Sequence, residues 1–279
     1  IHAVGKNLKI PPGYKHYQFK NKVLYPGLIN AMTTLGLADI AMIKQSTDTN
    51  EGGQFNPQVA FHRAFYSWSR LIPNTRQFGT TVALSAPQGG RISGKAFLFK
   101  LYGWEPEEML IRKEAALIIK FPGSQRRRGS GKQKQSKGQS KAVQTLVKYI
   151  EKAHRYHQKV MAGQISQLDL KLEAMRALWQ DQLPVIISVS SSSDIKTAIE
   201  FSQKHQLNAI LQGVYDGEKV LKEIKKSGYP VILNNLYQAN KKWEDGYDKV
   251  YRLPAKLHKA GIKFAFSMSY AAVAFDLPI

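Results

Sequence analysis

His154 and His157 stand three residues apart on a segment with helical spacing, an arrangement in which two imidazoles can share a face and hold a metal ion. They flank Arg155 in a basic stretch, which favours surface histidines instead. The run Ser190 to Ser193 offers hydroxyls for nucleophilic attack, yet no histidine accompanies it, and a serine without a base is a poor nucleophile. Asp48, Glu51 and Asp194 are isolated acids, suited to loop solvation and helix capping rather than to a paired acid and base. The chain has no cysteine, which removes disulfides, thiolate metal sites and thiol nucleophiles together. The remaining candidates follow the apolar runs: Met32 and Thr34, Ser188, Gln212 with Gly213, and Ser267 with Ser269. All are uncharged, whereas a hydrolytic zinc-like ion takes imidazole nitrogen and carboxylate oxygen.

The elements that must carry these residues alternate. An Asn-Pro pair opens residues 56–71, where Val59, Ala60, Ala64, Phe65 and Trp68 predict a helix. Residues 79–84 read as a buried strand running into the Gly-rich loop 86–90, which lacks the spacing of a phosphate-binding fingerprint and is read as a tight strand-end turn. Val143, Leu146, Val147 and Ile150 mark one amphipathic helix, and Leu168, Leu172, Met175 and Trp179 a second. Apolar runs at 184–189, 209–211, 230–233 and 262–266 then alternate with helical patterns at 194–204 and 216–226. That is the signature of successive βα units on a parallel sheet. With the strands of the first half, the count fits an α/β chain folded as a TIM-type (β/α)8 barrel, in which chemistry sits where the strands end.

At 279 residues a single large core is the expectation, and no apolar run approaches a membrane span. The formal charge of +21 favours acidic partners. Much of it lies in a basic loop at about residues 123–141, where Arg126, Arg127, Arg128, Lys132 and Lys134 sit among Gly, Ser and Gln without interleaved aromatics. Such a stretch is read first as a solvated insertion and second as a polyanion contact. The cysteine-free composition suits an exported or periplasmic chain only slightly better than a cytoplasmic one.

The segment Tyr25-Pro26-Gly27-Leu28-Ile29-Asn30-Ala31-Met32-Thr33-Thr34 resembles the first-strand signature PGLIDxHxH of the amidohydrolase superfamily, with Met32 and Thr34 at the two metal-binding His positions and Asn30 at the Asp. Residues 183–195, containing Pro184-Val185-Ile186-Ile187-Ser188, resemble the strand-five stretch PVxIHAHxxxDI of the imidazolonepropionase-like subgroup, with Ser188 at the ligand position. Ile210-Leu211-Gln212-Gly213 is similar to the strand-six IEHG stretch, and Phe266-Ser267-Met268-Ser269 to the strand-eight GTD stretch, where Ser269 replaces the Asp that serves as general base. Lys120 lies in the region of the remaining ligand, a strand-four Lys or Glu, without a firm alignment. Phe78-Gly79-Thr80-Thr81, Ile92-Ser93-Gly94 and Gly228-Tyr229-Pro230-Val231-Ile232 also resemble the subgroup.

The resemblance implies a barrel over residues 25–279, truncated at its C-terminus, preceded by part of a small β-sandwich in residues 1–24. It implies no resident cofactor where the family norm is a divalent metal such as zinc, because five ligand positions carry Met, Thr, Ser, Gln and Ser. The expected function is therefore a non-catalytic, structural or regulatory role beside an active amidohydrolase domain or subunit, or in a homo-oligomer. The alternatives are a metal-dependent hydrolase of non-peptide carbon–nitrogen bonds, a binder of small polar ligands using strand ends that include Asn234 and Asn235, and a polyanion binder.

Overall fold

Strands in the second half carry aliphatic residues on both faces, the pattern of a sheet covered twice. The computed structural model describes residues 3–40, 42–123, 137–165, 167–234, 237 and 245–277, with backbone alone at 137–140. Its eight strands are β1 (Leu28–Thr33), β2 (Thr80–Ser85), β3 (Ile92–Lys100), β4 (Leu110–Lys120), β5 (Val185–Val189), β6 (Ala209–Gly213), β7 (Val231–Asn234) and β8 (Phe264–Ser267), and they neighbour one another in chain order. The α-helices are α1 (Leu71–Gln77), α2 (Pro106–Met109), α3 (Lys137–Met161), α4 (Leu170–Met175), α5 (Ala177–Gln180), α6 (Ser192–Lys204), α7 (Leu221–Ser227) and α8 (Lys249–Lys259). The result is an α/β barrel, nearly closed. No helix among the described residues is long and apolar enough to cross a membrane.

One strand runs against the rest. β3 pairs antiparallel with both β2 and β4, while the other neighbouring pairs are parallel. The cause is chain length: residues 86–91 link β2 to β3, and a parallel crossover needs a dozen residues or more. The Gly-rich segment turns sharply there, with Gly89 at φ +94° and Gly90 at φ +57°. The expected helix over 56–71 is absent for a related reason. Its backbone is committed to β3, Asn56 N–H donating to the Ile92 carbonyl and the Val59 carbonyl accepting from Lys95 N–H. A 3-10 turn, Phe61–Ala64, takes its place and packs Phe61 and Phe65 over Phe97 and Phe99 on the outer face of β3. The helix expected around Leu168 to Trp179 is divided into α4 and α5, and the basic loop read as reaching residue 141 ends earlier, since α3 begins at Lys137.

Three apolar clusters divide the core. The largest packs Leu117, Ile119, Val185, Ile187, Leu211, Val231 and Leu233 against the helices outside the barrel. Ala86, Ala96, Ala116, Ile118, Ile186 and Ile232 fill the inside, joined by Met32 and Ile210. The third lies under the 3-10 turn around Phe97 and Phe99. The seam between β1 and β8 is closed by a side chain. Fully buried Asn30 donates its amide to the Met268 carbonyl at 3.2 Å and accepts from Met268 N–H at 3.1 Å, imitating a strand partner. Thr34 continues the seam, its N–H donating to the Ser269 carbonyl and its hydroxyl oxygen accepting from Ala271 N–H. Residues 3–27, which include the segment expected as sandwich, form no strand with the described residues and lie exposed.

Candidate functional site

Period-two alternation determines which residue each strand presents to the interior at its C-terminal end. On β4, Ala116 and Ile118 face inward while Leu117 and Ile119 meet the helices, so Lys120 closes the inner row. By the same alternation β5 offers Ser188 above Ile186, β6 offers Gln212 above Ile210, and β7 offers Asn234 above Ile232. Register then aligns them. Lys120 pairs with Ser188, Ser188 with Gln212, and Asn234 with Ser267 on β8. The barrel mouth is thus rimmed on five strands by Lys, Ser, Gln, Asn and Ser.

The sequence-derived positions converge on this end. Ser188 and Gln212 sit on the rim; Thr34 and Ser269 are joined across the β1–β8 seam, and Asn234 donates its amide to the Ser269 hydroxyl at 3.2 Å. Met32 packs into the apolar interior beneath. Gly213 follows Gln212 at φ +96°, where a Cβ would come within 2.8 Å of the Val189 carbonyl, so this rim position admits only glycine without strain. The residue that sequence alone leaves unaligned is Lys120, and the structure gives it the end of β4. Its side chain is open to solvent at the mouth, yet the surrounding wall displaces enough water to push the ammonium below the usual lysine range, and no opposing charge offsets this.

This donor set does not fit a divalent metal. A thioether, hydroxyls and a primary amide are weak ligands, and an ammonium in the same row repels a cation. Among the described residues no three His, Cys, Asp or Glu side chains converge as metal ligands. His154 and His157 belong to α3 rather than to the rim, and they are half-buried rather than surface groups: their rings lie 4.8 and 5.9 Å from that of Trp179. The serine run is a helix cap. Ser191 accepts from Asp194 N–H and donates to the Asp194 carboxylate at 2.6 Å, which gives both candidate groups a structural task. Glu51 accepts from the N–H of Gly52, as a loop acid does. Arg126, Arg127, Arg128, Lys132, Lys134 and Asn235 lie outside the described residues.

A second polar group, with little signature in the sequence, joins the segments that follow β6 and β7. Its centre is Lys249 at the head of α8, 3% exposed, whose ammonium donates to Asp216 at 2.7 Å and to Asp245 at 2.9 Å. That ammonium also lies 4.1 Å from the centre of the Tyr215 ring, and the Tyr215 hydroxyl donates to Asp245 at 2.7 Å. Burial alone would lower the Lys249 pKa, but the hydrogen bonds to Asp216 and Asp245 outweigh it and hold the ammonium above the usual lysine value. The i,i+4 spacing of Asp245 and Lys249 is the one sequence signal for this group.

No protein-family model and no curated protein sequence matches the chain. In structure the chain is similar to the crystal structure of an amidohydrolase from Thermotoga maritima MSB8, with a TM-score of 0.82 at 23% sequence identity, over 95% of this chain and 70% of that one. A likeness at this identity establishes the fold, and function must be argued from the site.

Proposed function

We propose that this chain is an amidohydrolase-related barrel without hydrolytic activity, with a structural or regulatory role beside an active carbon–nitrogen hydrolase. The observation that carries the reading is the composition of the rim: Lys120, Ser188, Gln212, Asn234 and Ser267 close the inner rows of five strands. Metal-dependent hydrolysis needs an ion to acidify its water and a carboxylate to move the proton. Among the described residues the rim has no carboxylate and no good ligand for the ion, and Met32, Thr34 and Ser269 add neither. Among the described residues of the neighbouring loops, Asp194 is held by Ser191, and Asp216 and Asp245 by Lys249.

The test is turnover. The purified chain, supplied with zinc or manganese, is assayed against a panel of amides, lactams and cyclic ureas. No metal-dependent product formation is expected; metal-dependent turnover that disappears on Gln212→Ala would overturn the reading.

A further inference from the structure

We infer that the barrel mouth is a metal-free binding site for a small monocarboxylate, anchored by Lys120 and hydrogen-bonded by Ser188, Gln212 and Ser267. The inference rests on the non-catalytic reading and goes further, since it assigns the rim a ligand.

Hydrogen-bonding capacity at the rim is left unused. Asn234 is engaged with Ser269, but the Lys120 ammonium, the Ser188 hydroxyl and the Gln212 amide make no side-chain hydrogen bond among the described residues. Gln212 is buried, and Ser267 is wholly buried with a hydroxyl that has no partner. Buried polar groups are almost always paired, so the unpartnered Ser267 hydroxyl, on the same rim as the open Lys120, Ser188 and Gln212 side chains, points to a partner supplied from outside the chain. Register brings three of them together, Lys120, Ser188 and Gln212 occupying adjacent rungs, and sets Ser267 beside Asn234 on the same rim.

Charge selects the ligand class. Lys120 has no ion-pair partner among the described residues, where Asp216 and Asp245 are paired with Lys249. One partly desolvated ammonium balances one negative charge, which suits a monocarboxylate better than a phosphate dianion or a neutral sugar. The neutral hydroxyls and amide can donate to the remaining carboxylate lone pairs. Below the rim the wall is apolar, built from Ala116, Ile118, Ile186, Ile210 and Ile232. A short aliphatic tail lying across the mouth would rest on that packed apolar floor while the carboxylate stays at Lys120.

Thermal-shift and calorimetric titration with propionate and butyrate tests this, with chloride at matched ionic strength and propionamide as neutral isostere. Saturable stabilisation by the carboxylates alone is expected, weakened about tenfold or more by Lys120→Gln. Ser188→Leu, which obstructs the mouth without removing charge, should also abolish binding and covers the case in which Lys120→Gln fails to fold. Lys113→Gln, a surface control, should bind as the parent does. Stabilisation equal to that by chloride, or retained in both Lys120→Gln and Ser188→Leu, overturns the proposal; equal binding of propionamide overturns the anionic assignment. Absence of carboxylate binding leaves the non-catalytic reading intact, whereas metal-dependent turnover removes that reading separately.

Discussion

Replacing Asn30 by alanine should open the β1–β8 seam. The Asn30 side chain is fully buried and makes two bonds to the Met268 backbone, at 3.2 and 3.1 Å. Its loss leaves a buried N–H and a buried carbonyl without partners, at about 1–3 kcal/mol each, so a destabilisation of about 2–5 kcal/mol is expected after some relaxation. For a domain of this size that corresponds to roughly 5–15 °C in melting temperature. Asn30→Asp is a sharper probe. It keeps an acceptor for Met268 N–H but sets a carboxylate oxygen against the Met268 carbonyl, so its deficit should shrink as pH falls and the acid protonates. Differential scanning calorimetry of the three proteins at pH 7.5 and pH 5 provides the comparison. Should Asn30→Ala melt within about 1 °C of the parent, the side-chain clamp is not what joins β1 to β8.

Other perturbations test separate parts of the molecule. Lys249→Met strands Asp216 and Asp245 in a buried site and should cost about 3–5 kcal/mol, read by urea denaturation. Because the folded Lys249 pKa lies above its ordinary 10.5, its stabilising contribution is complete below that pH and declines as pH rises through the raised value. His205 behaves in the opposite sense: burial, then Lys204, lowers its pKa from 6.5, so stability is lost as pH falls below 6.5. His205→Phe should therefore show a smaller drop in melting temperature between pH 7.5 and pH 5.5, followed by circular dichroism. Gly213→Ala forces a Cβ to within 2.8 Å of the Val189 carbonyl at positive φ, and a loss of about 1–3 kcal/mol in thermal unfolding is expected from the backbone alone.

The second half of the barrel is legible in the sequence because each strand is a short aliphatic run followed by an amphipathic helix, and β5, β6 and β7 fall on the runs that announce them. The first half is not, for reasons of connection rather than propensity. A helical pattern at 56–71 yields to backbone pairing with β3, and the short 86–91 link reverses a strand that strand count alone would leave parallel. At the site, Ser188 and Gln212 can be placed from the ends of apolar runs. Lys120 cannot, because β4 follows a reversed strand and carries the exposed charges Arg112 and Lys113 in its first half. The Lys249 group is hidden because its second acid, Asp216, comes from a different loop.

The proposed non-catalytic reading requires that a rim of neutral donors and one ammonium hold no metal ion. Plasma mass spectrometry of the purified chain, after dialysis against zinc, manganese and iron and then metal-free buffer, tests it most directly. Well below one ion per chain is expected, unchanged by Lys120→Gln; one tightly held ion per chain, lost on substitution at Ser188 or Gln212, would contradict the non-catalytic reading.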